Sequence, residues 1–92
     1  METEKHLLVF SAGWCGPCRM MKYYVWNNED VKQKLESFNS VNFIDIDDPK
    51  NRDMTAAYRV NAVPMIYIID DKGVPVKAGS TMDVNQTISF LN

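Results

Sequence analysis

The order of apolar segments predicts a single α/β domain with a mixed four-stranded sheet flanked by helices. Residues 7–10 and 41–46 are strand-like runs separated by a long stretch with helical periodicity. Residues 65–69 and 74–77 are strand-like runs separated only by the turn-forming segment 70–73. A helical crossover makes the first two strands parallel, and a tight turn makes the last two antiparallel.

The first strand is an unbroken apolar run, which is typical of a strand covered by helices on both faces. Residues 11–13 break the run, and apolar side chains at helical spacing follow. The predicted core face of this helix consists of Trp14, Cys18, Met21 and Val25, widened by Met20 and Tyr24. We interpret the methionine and tyrosine side chains of residues 20–24 as core or rim packing.

Residues 26–30, Trp-Asn-Asn-Glu-Asp, interrupt this helix, because asparagine and aspartate favour caps over helix interiors. Val31, Leu35 and Phe38 then resume the helical period. We therefore expect two helical pieces, residues 15–26 and 29–38.

The second half of the chain supplies the remaining elements, beginning with a short helix at 51–59. Pro75 confines the fourth strand to a sheet edge, because proline cannot donate a ladder hydrogen bond. Gly79 is expected after the end of that strand. Asp83, with Gln86 three residues later, resembles a capping box at the start of a terminal helix. One face of that helix is formed by Val84, Ile88 and Leu91.

Length and composition limit the function classes. The 92 residues form one domain, 1–92, and the net charge of −2 with scattered Lys and Arg excludes the basic footprint of nucleic-acid binding. The polar start of the chain and the short apolar run after it predict neither an export signal nor a membrane span. We therefore expect a cytoplasmic protein, in a reducing compartment where a Cys-x-x-Cys pair is more often catalytic than structural.

Residues 14–18, Trp-Cys-Gly-Pro-Cys, hold both cysteines of the chain. Cysteines three residues apart on a first helical turn have Cβ atoms about 5–6 Å apart, so a disulfide between them can open and close with little backbone movement. Cys15, at the positive end of the helix, is the candidate nucleophile, and Cys18, predicted to be more shielded, is the resolving thiol. Pro17 suits an early helical position, and Gly16 keeps the approach to the sulfurs open.

Three other roles compete for the cysteine pair. Half of a zinc site would need two more ligands, for which the chain offers only His6 and carboxylates, so no metal site is expected. A structural disulfide around so short a loop would stabilise the fold little. Two inert reduced cysteines are the third alternative.

The motif at residues 14–18 matches, residue for residue, the active-site motif of the thioredoxin family, which this chain resembles. Val63-Pro64 lies where thioredoxin-fold proteins carry a cis proline facing the dithiol, and Gly79 matches the glycine of a third loop around the site. The resemblance implies a thioredoxin fold without the first strand and helix that typical members carry. It also implies a substrate surface, made by Trp14, Gly16, Pro17, Val63, Pro64 and Gly79.

The resemblance also allows four other positions to be compared with the family pattern. Asp47 matches a family aspartate that accepts from the indole N–H of the active-site tryptophan; capping a turn is its alternative role. Val9 and Phe43 take the places of a buried aspartate, thought to handle the proton of the resolving cysteine, and its lysine partner. Losing both avoids an unpaired buried charge but removes the obvious base for the resolving thiol. Tyr23 takes the place of a proline that kinks the family's catalytic helix.

The resemblance implies an enzyme: a protein-disulfide reductase and electron carrier in which Cys15 forms a mixed disulfide with a protein substrate and Cys18 resolves it. It would need no cofactor beyond its own disulfide, and would act as a monomer recycled by a flavin- and NADPH-dependent thioredoxin reductase. A glutathione-linked, glutaredoxin-like reductase is one alternative, and a thioredoxin-like binding subunit with an incidental dithiol is another. Residues 18–31 also resemble thioredoxin-like domains of thiol-disulfide interchange proteins, which often act outside the cytoplasm.

Overall fold

A four-stranded sheet lies at the centre of the computed structural model, which describes residues 4–92. The strands are β1 (His6–Ser11), β2 (Ser40–Asp45), β3 (Met65–Ile69) and β4 (Pro75–Gly79). The helices are α1 (Gly16–Met20), continued by a π-helical segment (Met21–Val25), α2 (Glu29–Leu35), a 3-10 turn (Pro49–Asn51), α3 (Arg52–Ala57) and α4 (Val84–Leu91). The expectation of no export signal rests partly on residues 1–3, which lie outside the described residues.

The strand order across the sheet is β2-β1-β3-β4. β1 pairs with β2 in parallel and with β3 in antiparallel orientation, and β3 pairs antiparallel with β4. The predicted crossover and hairpin are therefore both confirmed. β1 is an interior strand with residues 7–10 buried, whereas β4 lies at an edge, as Pro75 predicts.

β1 is apolar on both sides, and apolar side chains of other elements pack against each face of the sheet. Leu7 and Val9 belong to the larger core, which the first helix, α2 and α4 complete. Leu8 and Phe10 point to the opposite face and pack with aromatic side chains that include Tyr58. The alternation of side chains along the strand divides its apolar run between these two cores.

The first helix buries a different set of side chains from the one that its periodicity predicts. Met21 and Val25 are buried as predicted, whereas Trp14 is 67% exposed. The helix begins only at Gly16, so Trp14 lies in the loop before it. Trp26, predicted to begin an interruption, is instead buried in the larger core.

A π-helical turn explains why Trp26 points into the larger core. The backbone N–H of Trp26 donates to the carbonyl oxygen of Met21, five residues earlier, at 2.8 Å. A π-turn holds one residue more than an α-turn, so the side chains that follow are rotated relative to an α-helical pattern. Met20, Tyr23 and Tyr24 are 52%, 64% and 72% exposed, so their prediction as core or rim packing is wrong.

Three element ends differ from the predicted ones by two residues or more. α2 ends at Leu35, although single turns continue the chain to Phe38, which is still buried. α3 ends at Ala57, because Arg59 has a φ of 54°, in the left-handed region that no α-helix contains. β4 runs to Gly79, which sequence reasoning placed after the strand.

The turn between β3 and β4 is held by the Asp70 carboxylate, which accepts hydrogen bonds of 2.9 Å from the N–H groups of Lys72 and Val74. The hydrogen bond from Val74 is the main cause of a lowered pKa for Asp70; desolvation opposes it, and the N–H and charge of Lys72 reinforce it. Gly73 has a φ of 81°, which glycine adopts without steric cost.

α4 begins at the predicted cap, in a modified form. The Asp83 side chain accepts from Gln86 N–H at 2.8 Å, and Gln86 Oε1 accepts from Met82 N–H at 2.8 Å. In a capping box the second bond comes from the N–H of the cap residue itself. Beside this cap, the buried hydroxyls of Thr81 and Thr87 hydrogen-bond to each other at 2.7 Å.

Candidate functional site

Cys15 and Cys18 lie at the start of α1 and form a disulfide, with Cα atoms 5.2 Å apart. Cys15 is the N-cap residue, and its Sγ accepts a hydrogen bond of 3.1 Å from Cys18 N–H. Pro17 fits the first turn, where helical N–H groups have no helical partner. An N–H group that donates to sulfur stabilises the thiolate over the thiol, so this geometry supports Cys15 as the nucleophile.

Both cysteines are enclosed by neighbouring side chains. Cys15 is 4% and Cys18 is 7% exposed, so the predicted difference in shielding is wrong for the disulfide form. Ala12 belongs to the same buried cluster, and Val63 packs against it. Gly16 leaves one side open, because a Cβ atom placed there would have no neighbour within 4 Å.

The loop before β3 faces the nucleophilic cysteine. The Val63–Pro64 peptide bond is cis, as the resemblance implies. The carbonyl oxygen of Val63 lies 3.7 Å from Cys15 Sγ, and Pro64 is buried. β3 begins at Met65, so the backbone of Val63 lies just beyond the strand ladder, beside the disulfide.

The end of β4 is joined to this loop. Gly79 pairs with Ile66 in the ladder, and a Cβ atom at position 79 would lie 3.1 Å from Cε1 of Phe90. The Ser80 hydroxyl donates to the carbonyl oxygen of Pro64. Sequence reasoning did not single out Ser80, because a serine after a strand has no pattern that distinguishes it from other loop serines.

Asp47 is exposed, and its N–H donates to Asp45 Oδ1 at 2.9 Å. No hydrogen bond between the Asp47 carboxylate and Trp14 is present within residues 4–92. The turn after β2 is capped by the neighbouring carboxylates of Asp45 and Asp48, the latter accepting from Lys50 N–H at 3.1 Å.

His6 is the first residue of β1, whereas the cysteines follow the other end of that strand. Six residues of β-strand span about 17–20 Å, so His6 does not reach the cysteine sulfurs as a zinc ligand. In the described part of the chain, no three His, Cys, Asp or Glu side chains form a metal-binding group. Likewise, none of the helices within residues 4–92 has the length and apolar character of a membrane span.

The family model for thioredoxin matches residues 1–92, the whole of this sequence. The chain belongs to the thioredoxin family. A thioredoxin from Borreliella burgdorferi is 35% identical over 69 residues, which cover 75% of this chain and 55% of that protein. The chain spans about half the length of the first curated relatives that it matches.

Solved structures with the thioredoxin fold superpose on most of the chain. A thioredoxin from Thermus thermophilus gives a TM-score of 0.81 at 20% identity, covering 96% of this chain and 71% of that one. The C-terminal domain of DsbD from Neisseria meningitidis, in its reduced form, gives 0.70 at 20% identity, covering 95% and 78%. These likenesses confirm the predicted fold class.

Val9 and Phe43 occupy the two positions where the family pattern has a buried charged pair, but only Val9 is buried. Val9 and Phe43 are paired neighbours on β1 and β2. Val9 is buried, whereas Phe43, on the edge strand β2, is 57% exposed. The Phe43 ring instead packs against the edge of Trp26, with ring centroids 5.7 Å apart.

A groove of about 680 Å³ opens beside Cys18. Its apolar wall includes Val9, Met21, Trp26 and Phe43, and its polar wall includes Arg19, Lys22 and Asp45. The Arg19 guanidinium donates to the Gly13 carbonyl oxygen at 2.7 Å, which holds it at the rim. The resolving cysteine therefore borders an open groove, where the family pattern has a buried charged pair.

Proposed function

We propose that this chain is a thioredoxin-type protein-disulfide reductase. The observation that carries the proposal is the Cys15–Cys18 disulfide at a helix start, beside the cis peptide at Val63–Pro64. A thiolate held by a backbone N–H, next to a backbone segment that lies beyond the strand ladder, can bind a peptide and exchange disulfides with it. Membership of the thioredoxin family supports the same chemistry.

In the reduced protein the Cys15 thiolate attacks one sulfur of a substrate disulfide. The substrate S–S bond breaks, its second sulfur leaves as a thiolate, and a mixed disulfide forms at Cys15. The Cys18 thiolate then attacks Cys15 Sγ and releases the first substrate sulfur. Two electrons pass to the substrate, and the protein is left with the Cys15–Cys18 disulfide that the structure contains.

The substrate surface of this proposal surrounds the nucleophile. Trp14, Gly16 and Pro17 are exposed around Cys15 and would contact the substrate chain. The backbone of Val63, next to Pro64, would hydrogen-bond an extended substrate strand, in the manner of β-strand addition. Gly79 would border this surface.

The proposal extends to partners and setting. The electron donor is a flavin- and NADPH-dependent thioredoxin reductase, the substrates are disulfide-containing proteins, and the chain carries no cofactor besides its disulfide. It works as a monomer in the cytoplasm, and binds neither nucleic acid nor membranes.

Insulin reduction tests the proposal, with turbidity of the freed B chain as the readout. We expect turnover with NADPH and a bacterial thioredoxin reductase, and much slower turnover with glutathione, glutathione reductase and NADPH. Cys15→Ser abolishes turnover, and Cys18→Ser traps an insulin-linked mixed disulfide that dithiothreitol releases. Faster turnover with glutathione would favour the glutaredoxin-like alternative, and no reduction in either system would refute the enzyme.

A binding subunit with an incidental dithiol is the second candidate. Met20, Tyr23 and Tyr24 leave a largely exposed apolar surface on the helix that carries the cysteines, which favours contact with another protein. The double variant Cys15→Ser, Cys18→Ser separates the two functions. A binding subunit retains its biological activity in that variant, whereas a reductase loses it.

A further inference from the structure

The resolving thiol must lose its proton before it attacks the mixed disulfide, because the thiolate is the nucleophile. Val9 lines the same groove as Cys18 and offers no acceptor for that proton. Phe43, its neighbour on β2, is likewise apolar. A side chain that could accept the proton is therefore sought on the groove that Cys18 borders.

Asp45 is the only carboxylate on the groove wall formed by residues 4–92. It lies two residues after Phe43 on β2, so the two side chains share a face of the sheet. Its partner in register on β1 is Ser11, which also lines the groove. Asp45 and Cys18 therefore line the same groove.

The Asp45 carboxylate is held in place but retains capacity to accept further bonds. Its Oδ1 accepts the N–H of Asp47 at 2.9 Å, and a carboxylate has about four lone-pair sites. Within the described chain, the ion pairs do not include Asp45. The other charged or titratable groups facing the groove, all on the first helix, are Arg19, Lys22 and Tyr23.

We propose that Asp45 accepts the Cys18 proton, through water in the groove, during the resolving step. A groove of about 680 Å³ has room for water between the two groups, since each water occupies about 30 Å³. The Cys18 S–H bond breaks, its proton passes by way of water to the carboxylate, and the electron pair stays on sulfur. That sulfur forms the bond to Cys15 Sγ, the substrate sulfur leaves as a thiolate, and the proton on Asp45 returns to solvent.

This inference rests on the proposed function, and Ellman's reagent, 5,5′-dithiobis(2-nitrobenzoate), isolates the step that it concerns. Cys15 of the reduced protein releases one thionitrobenzoate in a phase whose rate depends on reagent concentration. Cys18 then releases the second in a phase that is independent of it. Stopped-flow absorbance at equimolar reagent follows both phases between pH 6 and pH 8.

For Asp45→Asn we expect an unchanged first phase and a second phase slowed by about tenfold or more at neutral pH. The rate of the second phase should also rise more steeply with pH than in wild type, because hydroxide replaces the carboxylate as acceptor. Asp45→Glu restores much of the rate. Asp71→Asn, which removes an exposed carboxylate from the β3–β4 turn, leaves both phases unchanged.

The outcomes distinguish this inference from the function on which it rests. Asparagine at position 45 keeps an oxygen that can accept from Asp47 N–H, so we expect Asp45→Asn to be as stable as wild type. Equal urea midpoints for the two proteins would exclude a folding defect. Two wild-type phases, with the second unaffected in Asp45→Asn at every pH, would overturn the role of Asp45 alone. Release of a single thionitrobenzoate by wild type would overturn the dithiol reaction itself, and the role of Asp45 with it.

Discussion

Replacement of Thr87 by valine should destabilise the protein more than the same replacement at Thr81, although the two hydroxyls form one hydrogen bond. Both residues are buried, 0% and 3% exposed. The Thr87 hydroxyl donates to the Asp83 carbonyl oxygen at 2.7 Å, so its bond to Thr81, also 2.7 Å, must be donated by Thr81. The roles of the two hydroxyls are therefore unequal.

The difference follows from what each variant leaves unpaired. Thr87→Val leaves the buried Thr81 hydroxyl without an acceptor, which costs about 1–3 kcal/mol, while the Asp83 carbonyl oxygen keeps its bond from the backbone N–H of residue 87. Thr81→Val leaves the Thr87 hydroxyl bonded to Asp83, so only about 0.5–1 kcal/mol is lost. The double valine variant removes both hydroxyls and should be more stable than Thr87→Val alone.

Urea unfolding of the oxidised proteins measures these differences. With a slope of about 1–1.5 kcal/mol/M, a loss of about 2 kcal/mol lowers the urea midpoint by roughly 1.3–2 M. The order of midpoints should be wild type, Thr81→Val, the double variant, then Thr87→Val. A Thr81→Val variant as unstable as Thr87→Val, or losses that simply add in the double variant, would refute the reasoning. This pair follows Ser80, which contacts Pro64, so its stability also bears on the site.

Three further substitutions test the caps, the turn and the core. Asn28→Ala removes the acceptor for the N–H groups at the start of α2 and should cost about 1 kcal/mol in urea unfolding, whereas Asn27→Ala, outside the cap, should cost under about 0.5 kcal/mol. Asp70→Asn should reduce stability at pH 7, and the loss should become smaller as the pH falls toward 2. The lowered pKa of Asp70 contributes stability above its ordinary carboxyl range, and this contribution is lost as pH falls through the lowered value; an equal loss at both pH values would contradict it. Val9→Asp buries a carboxyl group, whose pKa burial should raise, so the variant should lose more stability at pH 7.5 than at pH 4. Val9→Asn, which cannot ionise, should show no such pH dependence, and the same loss at both pH values in Val9→Asp would contradict the burial of that side chain.

Local rules account for the parts of the structure whose partners are close in sequence. The Cys-x-x-Cys spacing with Pro17 determines a dithiol at a helix start, because cap geometry needs only the first turn. The apolar run of β1 follows from the alternation of side chains along a strand. The edge position of Pro75 follows from its missing N–H donor, and the start of α4 follows from the nearby acceptor on Asp83. Each could be derived from the residue types alone.

The tertiary structure decided the features that depend on distant neighbours. A π-turn brings Trp26 into the core, and helical periodicity cannot detect one additional residue in a turn. Likewise, the residue type of Phe43 suggests a buried side chain, whereas the strand order places β2 at an edge of the sheet, where Phe43 is 57% exposed. The same edge places Asp45 in the groove beside Cys18, a juxtaposition of residues 27 positions apart that only the pairing of β1 with β2 creates.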